Sequence, residues 1–186
     1  MTIEFKAWPK IARLNREVII TEKLDGTNAA IIIEDGEFGT QSRNRLITPE
    51  DDNYGFSRWA HDNKEALIEM LGEGRHFGEW WGAGIQRNYG LKGNDKRFSL
   101  FNLNRYKDVD FSLLPNVGLV PVIPSVRANG QNQLQDADYA INVLKASGSL
   151  AVPGYMNPEG IVVFHTASNS LFKVTCIDDE KPKGAA

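Results

Sequence analysis

The chain has 186 residues, of which 41% are hydrophobic, 24% charged and 10% aromatic, and its formal net charge is −3 at pH 7. This composition is typical of one folded globular domain that is long enough to bury a core, and it excludes a disordered chain. The acidic balance argues against a protein that coats nucleic acid electrostatically, but it leaves room for a basic groove on one face.

The sequence also indicates a compartment. It has a single cysteine, Cys176, and no apolar run long enough to span a membrane or basic leader is apparent. Its three histidines do not have the spacing of zinc ligands. We therefore expect a cytoplasmic protein that has no membrane segment and no structural metal site.

The first half of the chain predicts three strands followed by one helix. β-branched runs predict strands over Val18–Leu24 and Asn28–Glu34, and the Asp35-Gly36 turn leads into a third strand over Glu37–Ser42. We expect these three strands to form an antiparallel meander. Apolar residues then recur at helical spacing from Phe56 until a C-terminal cap at Gly72, which predicts one helix on a sheet face.

The remaining segments complete an α+β pattern of mostly antiparallel strands with two or three helices. Ile3–Ile11 is expected to lie over the sheet as an edge or lead-in. Further strands are predicted over His76–Trp81, Phe98–Arg105, Gly118–Val122, Gly160–His165 and Leu171–Cys176. A second helix is predicted over Gln133–Ser147, with Leu134, Ala137, Ile141 and Leu144 on one side.

One polar hinge, Glu22–Asn28, separates the first two apolar strands and contains Lys23. A lysine at the end of a strand, beside an Asp-Gly turn, is placed to act as a nucleophile. Its amine has an ordinary pKa of about 10.4, so it needs desolvation or a neighbouring cation to react at neutral pH. Taken alone, these residues fit an ordinary loop lysine better, and the rest of the chain must decide between the two.

Five short segments follow one another in order along the chain: Glu22–Gly26, Ser42–Arg45, Phe77–Gly82, Glu159–Val163 and Leu171–Thr175. Together they resemble the signature of the covalent nucleotidyltransferases, the superfamily of ATP-dependent ligases and messenger RNA capping enzymes. Lys-x-x-Gly-Thr-Asn, and Phe-Gly-Glu followed by Gly-Ala-Gly-Ile-Gln, are most similar to RNA ligases that seal nicks in duplex RNA. The resemblance implies a nucleotidyltransferase (ATP-grasp-like ligase) fold: antiparallel sheets flanked by helices, with an ATP groove between them.

The resemblance also implies a reaction. Lys23 attacks the α-phosphate of ATP, expels pyrophosphate and becomes a lysyl-AMP; the AMP then passes to an RNA 5′-phosphate, and a 3′-hydroxyl displaces it. Because charge builds on phosphate oxygens, Mg²⁺ or Mn²⁺ is expected as the cofactor. Lys173 is implied as a second catalytic residue, a cation on the α-phosphate. RNA repair, as in phages, is the expected setting.

The resemblance implies further roles at the nucleotide. Glu79 is expected at the ribose, Glu159 at Mg²⁺, Phe98 stacked on adenine, and Arg43 at the ribose, the phosphates or the RNA end. Arg45 is a second candidate for the phosphates and fits an ordinary solvated charge equally well. The hinge contributes Glu22 beside adenine, Leu24, and Asn28 facing the RNA ends. Taken singly, each of these residues also fits a structural role, and a phenylalanine in an apolar strand is more often part of the core.

The sequence departs from the family pattern at two positions. Thr175 stands where a second lysine is usual, and a hydroxyl brings no charge to a phosphate; we expect slower adenylation unless Lys181 or Lys183 reaches the site. Asn102 replaces a usual acidic residue, which puts a secondary metal contact in doubt.

The expected organisation is an adenylation domain over residues 1–177 and a mobile tail over 178–186, without a separate C-terminal domain. Weak substrate affinity, or dependence on an accessory RNA-binding partner, would follow from it. A monomer is expected.

Two alternatives stay open. A DNA ligase or a GTP-dependent capping-type enzyme would use the same lysine chemistry. A non-catalytic module that binds nucleotide or RNA ends would account for Thr175.

Overall fold

The fold contains two β-sheets, and a computed structural model describes it over residues 3–124 and 133–179. The strands are β1 Val18–Lys23, β2 Thr27–Glu34, β3 Glu37–Ser42, β4 Leu46–Ile47, β5 Gly74–Gly82, β6 Lys96–Leu100, β7 Val117–Leu119, β8 Gly160–His165 and β9 Ser170–Thr175. The helices are α1 Phe56–Asp62, α2 Lys64–Leu71, α3 Leu103–Tyr106 and α4 Gln133–Ser147. Within these ranges, none of the helices is long and apolar enough to cross a membrane.

The small sheet has the strand order β1-β8-β9 and the large sheet the order β4-β3-β2-β5-β6-β7. All named pairs are antiparallel except β6 with β7, which run parallel. The small sheet packs against α4 through Ile20, Leu144 and Ile161. The large sheet packs against α1 and α2 through a core that includes Phe56 and Leu67. Each sheet therefore has one face covered by helices.

The predicted three-strand meander is wrong in its first strand. The Asp35-Gly36 turn does join β2 to β3, with left-handed φ values of 53° and 78° at its two residues. However, β1 pairs with β8, from Val18↔His165 to Lys23↔Gly160, and so belongs to the other sheet. The chain crosses between the sheets at Gly26, where a Cβ would overlap the Trp80 carbonyl oxygen. The Asp25-Gly26 pair looks like a hairpin turn in the sequence, but its glycine serves the crossing between the sheets instead.

The single predicted helix up to Gly72 is two helices, because Asn63 leaves the helical conformation between α1 and α2, with φ −115° and ψ 20°. Its side-chain amide donates to the Trp59 carbonyl, 2.7 Å away. Asparagine competes for backbone groups in this way and thus favours helix ends over helix interiors.

Three other sequence-based boundaries change. The strand predicted up to Arg105 ends at Leu100, because the Asn102 side chain accepts a hydrogen bond from the Arg105 N–H (3.1 Å) and begins α3. The strand predicted up to Val122 is β7, which ends at Leu119. The lead-in over residues 3–11 does not lie on a sheet: Ile3, Phe5, Trp8 and Ile11 are at least 90% exposed.

The other predicted elements are confirmed. Helix α4 has the predicted bounds, with Ile141 and Leu144 buried, and the β8–β9 pair closes the small sheet. The side chain of Leu134, at the start of α4, lies outside the described part of the chain.

A buried histidine joins β5 to α3. Nε2 of His76 lies 2.9 Å from the Gly72 carbonyl oxygen, so it must carry the proton, and Nδ1 accepts from the Tyr106 hydroxyl at 2.9 Å. Burial lowers the pKa of His76 to about 4. The ring is therefore neutral in the folded protein, and it anchors α3.

We predict that His76 makes the free energy of unfolding decrease as the pH falls from about 6.5 to about 4. The unfolded chain takes up a proton below about pH 6.5, whereas folded His76 stays neutral to about pH 4. The stabilisation is thus fully present above pH 6.5 and is lost towards pH 4. Urea unfolding at several pH values should show that the free-energy advantage of the wild type over His76→Gln shrinks across this window. A constant advantage would contradict the prediction.

Candidate active site

A cleft of about 550 Å³ lies between the two sheets, on the faces that α1, α2 and α4 leave uncovered. The small sheet and its neighbours contribute Ile19, Thr21, Glu22, Lys23, Leu24, Val162, Phe164 and Leu171. The large sheet and α3 contribute Asn28, Arg75, Phe77, Glu79, Phe101, Asn102 and Tyr106, among others. This volume is within the range of small-molecule sites, which run from about 300 to 1,000 Å³.

Lys23 is the last residue of β1, and its amine is held in an ion pair. Nζ lies 2.6 Å from Oε2 of Glu159, whose side chain is only 8% exposed, while that of Lys23 is 25% exposed. The β1–β8 register explains the pairing, because Lys23 lies opposite Gly160, the residue after Glu159. Lys23 also lines the cleft.

Gly160 allows three strands to meet closely beside the lysine. It lies opposite both Lys23 in β1 and Thr175 in β9. A Cβ at this position would overlap the Val174 carbonyl oxygen and lie 2.8 Å from Cα of Thr175. The glycine therefore leaves no side chain between Lys23 and Thr175 along this row.

Glu79 is a buried carboxylate on the opposite wall. Its Oε1 accepts from the Gly26 N–H (3.1 Å), and its Oε2 accepts from the Asn28 amide (2.9 Å). Burial raises the pKa of Glu79 to about 7, although the positive charge of Lys23 acts in the other direction. The hinge residues Gly26 and Asn28 are thus fastened to β5 by a group that titrates near neutrality.

Glu22 is also buried, with 1% of its surface exposed. Its Oε2 accepts from the backbone N–H groups of Leu150 (2.7 Å) and Ala151 (3.0 Å). Its Oε1 is buried and has no hydrogen-bond partner in the part of the chain that the structure describes. Burial raises the pKa of this carboxyl group. A buried oxygen without a partner at a cleft wall is suited to accept a donor from a ligand.

The predicted stacking residue, Phe98, is in the wrong place for that role. It is fully buried in the core of the large sheet, with its ring 5.0 Å from that of Phe56. Side chains alternate along a strand, so Ser99 and Phe101 point the other way. Phe101 is 43% exposed and lines the cleft. The sequence pointed to a segment that borders the cleft, but it assigned the wrong side chain of that segment to the cleft.

The remaining predicted residues lie at varying distances from the lysine. Leu24 is buried beside Trp81 and lines the cleft. Lys173 is exposed and stands on the same face of the small sheet as Val162, its partner in β8. Arg43 lies in an exposed turn after Ser42, outside the cleft lining. Because Ser42 pairs with Ala29, this turn is at the end of the sheet that carries Asn28.

Arg45 and Thr175 are occupied by neighbours. Arg45 pairs with Asp51 at 2.6 Å on the surface, so its positive charge already has a partner without a phosphate. The Thr175 hydroxyl donates to the Ile177 carbonyl (2.9 Å), and its N–H donates to Asp179 (2.7 Å). The two lysines considered as substitutes, Lys181 and Lys183, lie outside the described residues.

Sequence reasoning missed two residues that contact Asp25 in the hinge. Tyr89 accepts a hydrogen bond from the Asp25 N–H (2.9 Å), and Nε of Arg87 lies 3.0 Å from Oδ2 of Asp25. These residues are in an irregular loop after the Gly82-Ala83-Gly84 segment, with no periodicity to reveal them. The one available signal was the run of polar and aromatic residues directly after that segment.

A metal would need ligands beyond the protein. Among the described residues, no group of three or more histidine, cysteine or acidic side chains could hold an ion. Glu159 offers a carboxylate 2.6 Å from the lysine amine. Mg²⁺ commonly binds through one or two carboxylates and keeps water and substrate phosphate oxygens as its other ligands, so Glu159 fits that mode.

Comparison with known proteins gives both a family and a fold. A sequence model of the family described as RNA ligase matches residues 16–175. Three mutant structures of an RNA ligase from Naegleria gruberi are similar to this chain. The one with AMP and Mn has a TM-score of 0.51 at 21% identity, the one with ATP and Mn 0.56 at 21%, and an apo one 0.52 at 22%.

These matches cover 85%, 86% and 85% of this chain, and 49%, 50% and 48% of the ligase chain, respectively. The chain therefore spans about half the length of these structures. The likeness confirms the α+β, nucleotidyltransferase type of fold. No curated protein sequence matches the chain.

The different positions of the two phenylalanines predict different costs of truncation. Phe98→Ala should lower the free energy of unfolding by about 3–5 kcal/mol, because it leaves a cavity in the core. Phe101→Ala, at a position that is 43% exposed, should cost about 1 kcal/mol or less. Urea unfolding of both variants measures this. Equal costs would show that the assignment of core and cleft residues is wrong.

Proposed function

The chain belongs to the RNA ligase family, and we propose that it joins RNA ends at the expense of ATP through a covalent AMP intermediate on Lys23. The observation that carries the proposal is the position of this amine. It lines the cleft, at the point where the chain crosses between the sheets, and it pairs with Glu159 at 2.6 Å. A nucleotide in the cleft would meet the amine at its phosphate end.

The first step forms a P–N bond between Nζ of Lys23 and the α-phosphorus, and the bond to pyrophosphate breaks. The ammonium must lose a proton before it attacks, and the Glu159 carboxylate is in place to take it. A divalent cation bound at Glu159 would supply positive charge to the phosphate oxygens. Lys173, on the same face of the small sheet, is the proposed second cation.

The second and third steps move the AMP and then release it. An oxygen of the RNA 5′-phosphate attacks the lysyl-AMP, the P–N bond breaks, and Lys23 regains its amine. The 3′-hydroxyl of the other RNA end then attacks the activated 5′-phosphate, and AMP leaves. Asn28, which lines the cleft beside Glu79, is the proposed contact with these ends.

The base pocket supports ATP over GTP. Oε1 of Glu22, which has no hydrogen-bond partner among the described residues and belongs to a residue that lines the cleft, is the proposed acceptor for the base. The exocyclic amine of adenine is a donor, whereas guanine has a carbonyl oxygen at the same ring position. Phe101 replaces Phe98 as the proposed stacking residue, and Val162 of the small sheet also lines the cleft. Glu79 is the proposed ribose contact.

One observation favours a second candidate, a module that binds nucleotide or RNA ends without joining them. Thr175 lies in line with Lys23, on the other side of Gly160. Its side chain brings no charge, and its hydroxyl already donates to the Ile177 carbonyl oxygen. A DNA ligase differs from the leading proposal only in its substrate. Activity assays separate these candidates.

We predict that Lys23→Ala blocks loading of AMP but not the final step. With ATP and Mg²⁺, the wild type should seal a nicked RNA duplex that carries a 5′-phosphate, and Lys23→Ala should give no product. Both proteins should seal a strand whose 5′-phosphate already bears AMP, because that substrate bypasses the lysine. Gel analysis of labelled strands measures both reactions.

The same substrates in DNA form the control. Sealing of DNA in place of RNA would favour the DNA ligase. No sealing of any substrate by folded wild-type protein would favour the binding module.

Glu22→Gln should reverse the choice of base. The two backbone N–H groups that hold Oε2 would keep the amide oxygen of glutamine, so the NH₂ group would take the position of Oε1. A donor there suits guanine. We expect the ratio of kcat/KM for ATP to that for GTP, measured by AMP or GMP loading, to fall at least tenfold, which corresponds to about 1.4 kcal/mol. An unchanged ratio would contradict the role assigned to Glu22.

A further inference from the structure

Nothing in the proposed reaction uses Arg87, which lies in the irregular loop between β5 and β6. This loop, residues 83–91, contains three non-glycine residues with left-handed φ values: Gln86 (45°), Asn88 (49°) and Tyr89 (54°). Such conformations cost free energy and persist only where the surroundings impose them. The loop is nevertheless anchored, because Ile85 and Tyr89 are almost completely buried.

The loop contacts the turn that follows Lys23 at two points. The Tyr89 hydroxyl accepts from the Asp25 N–H at 2.9 Å. Nε of Arg87 lies 3.0 Å from Oδ2 of Asp25, in an ion pair whose side chains are only 28% and 14% exposed. A half-buried pair of this kind is screened less than a surface pair. At this distance Nε makes an ion pair with the carboxylate but no hydrogen bond of good geometry.

The same loop contacts the segment that leads to Glu159. Nη1 of Arg87 donates to Oδ1 of Asn157 at 2.9 Å, two residues before Glu159. The Tyr155 hydroxyl donates to the Arg87 carbonyl oxygen (3.2 Å), and the rings of Tyr155 and Tyr89 lie 4.9 Å apart. One arginine thus touches both segments whose ends carry the Lys23–Glu159 pair.

We propose that Arg87 is a positioning residue that holds the Lys23 turn and the Glu159 segment in register for the attack of the amine on ATP. This inference rests on the proposed function. Lys23 is the last residue of β1, and Glu159 directly precedes β8. Neither the turn after β1 nor the segment before β8 is part of a sheet. The guanidinium contacts both segments through different nitrogens: Nε pairs with Asp25, and Nη1 donates to Asn157. Arg87 does not contact the cleft itself.

The arrangement predicts a loss of rate without a loss of nucleotide binding. A misplacement of about 1 Å in a reacting group can cost about 100-fold in rate. In Arg87→Ala we expect the maximal rate of AMP loading at saturating ATP to fall at least tenfold, with KM for ATP within about twofold of the wild type. Arg87→Lys, which keeps a positive charge beside Asp25, should have a higher loading rate than Arg87→Ala. Sealing of RNA that already bears AMP should stay within about twofold.

The matched control is Arg97→Ala. Arg97 also pairs with a carboxylate, Asp95, at 3.1 Å and is partly exposed, but it touches neither the Lys23 turn nor the Glu159 segment. This variant should load AMP at the wild-type rate. Asp25→Asn combined with Arg87→Ala should be little worse than the more damaging single change, because the two residues act as one unit.

A measurement that needs no catalysis completes the test. Hydrogen–deuterium exchange should increase at the Asp25 turn and in the segment before Glu159 in Arg87→Ala, and not in Arg97→Ala. Unchanged exchange, an unchanged loading rate, or an equal loss in loading and in sealing of AMP-bearing RNA would overturn the positioning role. If the wild type loads no AMP but the exchange changes as expected, the proposed function fails and the structural link stands.

Discussion

The ion pair between Lys23 and Glu159 is the interaction on which the site depends. It forms because antiparallel pairing of β1 with β8 brings the last residue of one strand beside the residue before the other, 2.6 Å between charged atoms. Directly after Lys23 the chain leaves the small sheet for the large one, through Gly26. The amine therefore lies where both sheets can contribute to one cleft, and a change in that register would separate the lysine from its partner.

Three carboxylates at or beside the cleft are buried: Glu22, Glu79 and Glu159. Burying carboxylates is costly unless hydrogen bonds or cations compensate. Here backbone N–H groups compensate one oxygen of Glu22, and Glu79 accepts from Gly26 and Asn28, while its pKa rises to about 7. A nucleotide that arrives with a divalent cation and an exocyclic amine would bring further positive charge and a hydrogen-bond donor to these carboxylates.

Much of this was predictable from sequence where local chemistry was decisive. The Asp35-Gly36 turn dictates the β2–β3 hairpin, and the order of five short segments singled out Lys23 and Glu159, which the structure brings together in an ion pair. Pairing between distant strands was not predictable, because an apolar run does not say which partner it will meet; β1 therefore appeared to continue into β2. Phe98 was misassigned for a related reason, since the phase of a strand depends on which face its neighbours cover. Arg87 and Tyr89 escaped notice because left-handed residues break the periodicity of their loop.

The most direct test of the central claim is to locate the AMP. Protein treated with pyrophosphate to remove any bound AMP is incubated with ATP and Mg²⁺, digested, and mapped by mass spectrometry under conditions that preserve the P–N bond. The account predicts a mass increase of one AMP on the peptide that contains Lys23, and fragment ions that assign it to that residue. An AMP on another residue, or no adduct on folded protein, would contradict it.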